Sequence, residues 1–473
     1  MARRVSISGP VKVFFVGAVL VAAGLVALPA GAAEAERDTE VTFAKDVAPI
    51  LQRSCQNCHR PDAVAPMSLL TYEEARPWAR AIKDRTALRE MPPWFIDKTI
   101  GIQHYKDDIS LSDAEIATLA AWADNGAPRG NPADLPPPLV FPEEGVWTIG
   151  TPDLVVSTPV MTVPAVAADY HDEYGPVPTG LTTDRYIKAV EVQEVRLLEA
   201  EAEARLRRQA NEGSGYGRFT IHHMGIHTGD EYYASESDRA QFRFTHEIGQ
   251  NATTYPEHVG VVLPADSELR FTVHLYASGE IVPVRADVGF VFHPEGYEPK
   301  YGSWEFGAIG GIGDALDIPA DQESVRLDGY YIMPQPGLLN TFEPHMHASG
   351  RRMCLEAIYP PDENVHNYRL SPRREVLSCA GYDHNWAKVY VYQDDHAPLL
   401  PKGAVLHLTG WYDNSARNRN VVDPRNWKGH GERSIDDMFV LLAKFTFLTD
   451  EQFAEIASDR EAGRAGRRAD NQD

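Results

Sequence analysis

The hydrophobic period changes once along this chain, and the place where it changes limits the folds open to it. Before residue 131 apolar residues recur at helical spacing, with Ile116, Leu119, Ala120 and Ala123 at i, i+3, i+4 and i+7. Ser112-Asp-Ala-Glu115 opens that run as a capping box, and Asn125-Gly126 stops it. Later come short alternating runs such as Phe219-Thr-Ile, Leu269-Arg-Phe-Thr-Val, Val288-Gly-Phe-Val-Phe and Val405-Leu-His-Leu-Thr, separated by Gly, Pro, Asn and Asp. Between the two textures lies a stretch carrying Pro132, Pro136, Pro137, Pro138, Pro142 and Pro152, which reads as a stiff linker. The expected fold is multidomain: a small all-α domain over 38–131, the linker over 132–152, and two antiparallel, jelly-roll-like β-sandwiches over 153–322 and 323–450. Glu191 to Ala210, with strong helix formers and interleaved charge, reads as a helical insertion (191–212) in the first sandwich. The polar end, 451–473, is expected to fray.

Residues 1–32 combine Arg3, Arg4 and Lys12 with an apolar run from Val13 to Leu28 and small residues at Ala30-Gly31-Ala32. That is the layout of a secretory signal, cleaved after Ala32 or Ala33, with an uncleaved membrane anchor as the alternative. An exported chain, periplasmic or extracellular, meets oxidising conditions that permit disulfides. The net charge of −23 becomes −26 once that segment is removed, and so acidic a surface repels phosphate backbones, excluding nucleic acid as a natural partner.

Two of the four cysteines stand in Cys55-Gln-Asn-Cys58-His59, the pattern of covalent c-type haem attachment: two thiols for thioether bonds and His59 for the iron. No second Cys pair lies nearby to complete a zinc site. The Ser112 helix resembles the C-terminal helix that packs beside the haem in small cytochromes c. An electron-transfer haem calls for a thioether as sixth ligand. Met91, in Arg89-Glu-Met-Pro-Pro-Trp94, sits on a proline-stiffened loop upstream of that helix and is the first choice; Met67 and His104 remain alternatives.

Histidine is concentrated in a few places after residue 215. In His345-Met-His347 the imidazoles stand at i and i+2, on one face of a strand. His222-His223 are neighbours, which point oppositely on a regular strand, so the pair can share an ion only at an edge or bulge. Singly, each pair is more often a surface or hydrogen-bonded pair than a ligand set.

The ordered set resembles the copper type II, ascorbate-dependent monooxygenase family, which includes peptidylglycine α-hydroxylating monooxygenase. Its members have two copper-binding β-sandwiches, a three-histidine copper that relays electrons and a His-His-Met copper where oxygen is activated. The resemblance implies His222, His223 (in Thr220-Ile-His-His-Met224) and His274 (in Phe271-Thr-Val-His-Leu-Tyr276) for the first copper. It implies His345, His347 and Met438 (in Gly431-Glu-Arg-Ser-Ile-Asp-Asp-Met438) for the second, catalytic one. Tyr412-Asp-Asn-Ser415 resembles the segment preceding that Met in bacterial relatives. The thioether suits Cu(I), the form that must meet O2.

The sequence departs from the founding enzyme where that enzyme holds a peptide carboxylate: here those places are Glu343, Val440 and Leu442. A neutral or cationic, partly apolar substrate is expected instead. Cys354 and Cys379 are expected to form a disulfide across the second sandwich. The sequence assigns no role to His227, His246, His384 and His430, which read mostly as surface or hydrogen-bonding residues, with Asp383-His384 as a supporting pair the alternative. The implied function is an exported monooxygenase with one haem c and two coppers, the haem supplying electrons, with O2, a small organic substrate and a redox partner or reductant. The alternative is an electron-transfer or copper-binding cytochrome without turnover.

Overall fold

The computed structural model describes residues 41–470, apart from 62, 64, 142–144, 168–169, 210–219, 230–241, 248–250, 303, 312–315, 362–372, 432 and 434. The expected signal sequence and its cleavage position lie outside the described residues. Most of the regular structure among the described residues is antiparallel β-sheet, and the helices are few. No helix of the described residues is long and apolar enough to cross a membrane.

Helices Ala48–Ser54, Ala79–Ala87 and Asp113–Asp124 gather near the start. The expected capping box forms: Ser112 Oγ accepts the Glu115 amide at 3.2 Å, and Glu115 Oε2 accepts the Ser112 amide at 2.8 Å. Leu119 and Trp122 of that helix are buried against Phe43, Leu51 and Ile82. The linker's end is pinned to the first sheet. Thr148 and Ile149 donate backbone N–H groups to Glu191 at 2.7 and 3.1 Å, and the Trp147 ring covers Gly289, where a Cβ would come within 2.7 Å of it.

The first two sheets share one core. One is built on the paired strands Arg185–Arg196 and Val282–Phe292, and the other orders Tyr170–Pro178, Glu268–Leu275, Ile221–His227 and Arg243–Glu247. Val284, Ala286, Val288 and Phe290 of one meet Leu269, Phe271 and Val273 of the other, the inward half of an alternating pattern. Two further sheets share a second core, one around Phe439–Phe447 and one around Gly350–Ile358 and Val405–Tyr412.

Four expectations need correction. Residues 191–196 are not helical: Val190 and Val192, alternate and buried, continue the strand Arg185–Arg196, and the helix begins only at Ala200. β-branched alternation paired with strand 282–292 outweighs the local charge pattern. The terminal segment is the helix Asp450–Asp470, started by Thr449 and Gln452 as a reciprocal cap and seated by Phe453 and Ile456 on the second core. Cys354 and Cys379 do form a disulfide, but within one sheet, as directly opposed residues of neighbouring strands.

The fourth concerns residues 94–108, expected within the all-α domain over 38–131. They run instead along the edge strand Arg374–Gly381: Asp97 donates its amide to the Cys379 carbonyl at 2.8 Å, and Ile102 donates to Leu377 at 2.8 Å. Trp94, Ile96 and Tyr105 enter the second core. This irregular strap covers a sheet edge that would otherwise present unpaired backbone groups.

Candidate metal centres

Cys55 caps the helix Ala48–Ser54, and the amides of Cys58 and His59 both donate to its carbonyl, at 3.1 and 2.8 Å. One tight turn therefore carries both thiols and the imidazole. His59 Nδ1 lies 3.1 Å from the Met67 carbonyl, a contact that a proton on Nδ1 makes a hydrogen bond. Burial pushes the Cys55 thiol up to about 12 and raises Cys58, which the Lys388 ammonium pulls back down. Met67 packs in the cluster that holds Cys55, whereas Met91 is not part of it. His104 is stacked on His396 at 3.7 Å, against the second pair of sheets.

The strand Ile221–His227 changes register against Glu268–Leu275 between Ile221 and His223, which places an irregularity at His222. That is the bulge the adjacent pair requires. What fixes it is Glu194, partly buried in the opposing sheet, whose carboxylate accepts the amides of Thr220 at 3.0 Å and Ile221 at 2.9 Å. Burial raises its pKa. His223 then stands opposite His274 on one side and Glu247 on the other. The ring centres of His223 are 4.2 Å from His274 and 5.1 Å from His222. One nitrogen from each of the three lies within 4.8 Å of the others, a donor set able to hold a metal ion.

His345 pairs with Val440 on the strand Phe439–Phe447, and opposed residues of an antiparallel pair share a face. Met438, Val440 and Leu442 form a buried stripe on that face. Beyond His345 the strand ends, and His347 lies in the turn that follows. Asp437 ties His347 to Met438: Oδ1 accepts the amides of His347 and Met438, both at 2.9 Å, and Oδ2 accepts Ser349's amide at 3.1 Å and its hydroxyl. The Tyr412 hydroxyl donates to the Met438 carbonyl at 2.7 Å, and Asp413 donates its amide to Ser349. The Tyr412–Ser415 segment thus backs the His345–His347 turn. Glu343, beside it, faces Lys444 at 3.9 Å with both side chains buried. Burial raises the carboxyl and lowers the ammonium.

The two groups adjoin. The His223 and His345 ring centres are 6.1 Å apart, and His384 stands between His222 at 5.9 Å and His347 at 5.7 Å. Burial holds His222 and His345 down to about 3 and His384 to about 4, with His223 and His347 well below the usual value. At neutral pH these imidazoles carry lone pairs, the state that binds metal. Among the described residues, His222 Nδ1, His347 Nδ1 and His384 Nε2 are shut from solvent without a hydrogen-bond partner. Buried nitrogens left so are costly, by about 1–3 kcal/mol each, unless an ion takes their lone pairs. Lys388 links this region to the haem-type motif, since its charge is felt by both Cys58 and Glu247.

Sequence reasoning missed Glu194, Asp437 and the place of His384. Asp437 had a visible signal, an acid next to the candidate Met; Glu194 had none, being distant in the chain.

No family model matches the chain, and no curated protein matches it. Among solved structures it is similar to the Cowpea mosaic virus top component, described as naturally occurring empty particles, at 11% identity over 63% of this chain and 90% of that one, with a TM-score of 0.24. So slight a likeness carries no conclusion.

Proposed function

We propose that this chain is an exported, copper-dependent monooxygenase with a c-type haem, hydroxylating a C–H bond of a non-anionic, partly apolar organic substrate with O2. The observation that carries the reading is the convergence of two buried histidine groups from separate sheets, with Met438 on the face of the second. Cys55 and Cys58 would attach the haem, His59 would ligate it, and Met91 or Met67 would complete it. His222, His223 and His274 would hold one copper, and His345, His347 and Met438 the other. Bound there, these groups supply one-electron transfer and the reduction of O2 that hydroxylation requires, with two electrons from the C–H bond and two from an outside donor.

The chain's own residues do the rest. Burial keeps the imidazoles neutral. Glu194 and Asp437 fix the backbone from which the ligands project. Val440 and Leu442 make an apolar wall beside Met438, which favours a partly apolar substrate there. The Lys388 ammonium acts electrostatically on both Cys58 and Glu247, the residue opposite His223, which supports electron entry through the copper that His223 would hold.

Metal analysis of the mature protein, with a reduced-minus-oxidised spectrum and the anaerobic Cu(II) signal, tests the reading. Two coppers per haem, reduced through the haem, are expected, and Met438→Ala should end turnover while sparing the haem spectrum. Haem without copper, even after reconstitution, leaves an electron-transfer protein.

A further inference from the structure

We propose that His384 is a third imidazole donor to the metal held by His345 and His347. This rests on the reading above for the presence of that metal, and it extends the donor set beyond the one the family resemblance implies.

The geometry starts from the short helix His384–Trp386, whose first residue is delivered by Asp383 accepting the Asn385 amide at 3.0 Å. The His384 ring hydrogen-bonds the carbonyl of Met346, the residue between His345 and His347, and Tyr382 donates its hydroxyl to that same carbonyl. His384 is therefore fastened to the turn that carries the two ligands. Its Nε2 is shut from solvent with no hydrogen-bond partner among the described residues.

His347 has the same disposition: its ring bonds the Arg433 carbonyl, and Nδ1 is buried and unpartnered. One ring nitrogen on a backbone carbonyl, with the other facing inward, is how metal-bound histidines are commonly held, because the carbonyl fixes tautomer and orientation. Imidazoles sharing one ion, each with its nitrogen roughly 2 Å from the metal, have ring centres roughly 5 to 6 Å apart. His384 is 5.7 Å from His347, and His345 is 5.5 Å from His347.

His384 also lies 5.9 Å from His222, but the first group already brings three nitrogens within 4.8 Å of one another and does not include it. The group of His345, His347 and His384 is more open than that, so binding is expected to draw His384 inward by rotation of its side chain. A third imidazole added to two imidazoles and a thioether holds copper more tightly, while a further position stays open to O2.

The test uses the full haem-loaded protein, titrated anaerobically with Cu(I), in wild type, His384→Phe and His384→Asn. Asn keeps a donor for the Met346 carbonyl but cannot supply the imidazole. Two coppers per haem are expected in wild type, with the second bound about 10-fold or more weakly in both variants. X-ray absorption of the wild type, which needs no variant, should count close to three imidazoles per copper averaged over both sites; a count nearer two and a half overturns the proposal. Unchanged affinity and an unchanged Cu(II) spectrum in both variants also overturn it while leaving the monooxygenase reading in place. A wild type that binds no copper removes that reading and this inference with it.

Discussion

The imidazoles of His223 and His345 meet at 6.1 Å and nearly at right angles, 88°, although one projects from the first pair of sheets and the other from the second. Two donor groups that close together cannot be altered independently. His345→Ala is expected to lower bound copper by one per chain and also to change the Cu(II) spectrum of the copper that remains. A residual spectrum identical to the first-site component of the wild type would mean that the two groups do not communicate.

Glu194 should matter to metal binding without touching metal. Glu194→Ala leaves the Thr220 and Ile221 amides buried without an acceptor, at about 1–3 kcal/mol each. The bulge then relaxes, and affinity at His222, His223 and His274 should fall about 10- to 100-fold, as for other residues that orient ligands. Glu194→Gln keeps one oxygen that can accept both amides and should restore most of it. Denaturant midpoints and copper titration of the three proteins separate the two effects.

Asp437→Ala removes the acceptor of three amides and one hydroxyl at a fully buried position. A loss of about 3 kcal/mol or more is expected in urea unfolding, together with the second copper. If the variant unfolds at the wild-type midpoint, Asp437 does not hold this turn.

The Cys354–Cys379 bond joins strands that are already neighbours, so its removal should weaken the sheet without dismantling it. Replacing both cysteines by serine is expected to cost about 3 kcal/mol while the haem absorption persists. Loss of the haem signal in that variant would point to a role for the bond in assembling the N-terminal motif.

Asp97 gives the strap 94–108 a pH dependence. Hydrogen bonding from Thr99, and then the Arg352 guanidinium at 2.8 Å, hold its carboxyl below the ordinary value of 3.8. The folded pKa is depressed, so the folded state binds fewer protons than the unfolded one in this range. The stabilisation is therefore fully present above 3.8 and disappears as pH falls through the lower folded value. Amide-exchange protection of Asp97 and Ile102 should drop on acidification below about pH 4. Asp97→Asn should abolish that dependence, and an unchanged profile would remove Asp97 from the docking.

The parts legible in the sequence are those whose signal is local. The capping box at Ser112 and the alternation of Val288-Gly-Phe-Val-Phe each needed only a few neighbouring residues. The adjacent pair His222-His223 even predicted its own bulge. Val190 and Val192 were hidden behind helix-favouring charges because their partners lie on the distant strand 282–292. Glu194 and His384 were illegible for the same reason: what gives each its place is a backbone group far along the chain.

The strap also bears on how the molecule is made. Trp94, Ile96 and Tyr105 leave the ribosome before any strand of the core they complete, and Ala380 and Tyr392, their bridging partners, emerge some three-fifths of the chain later. The nascent N-terminal part must wait, with apolar side chains uncovered, until the last sheets arrive. Cutting the molecule between its helical start and its sheets would therefore strip the later part of its own core, and neither fragment would inherit a finished fold.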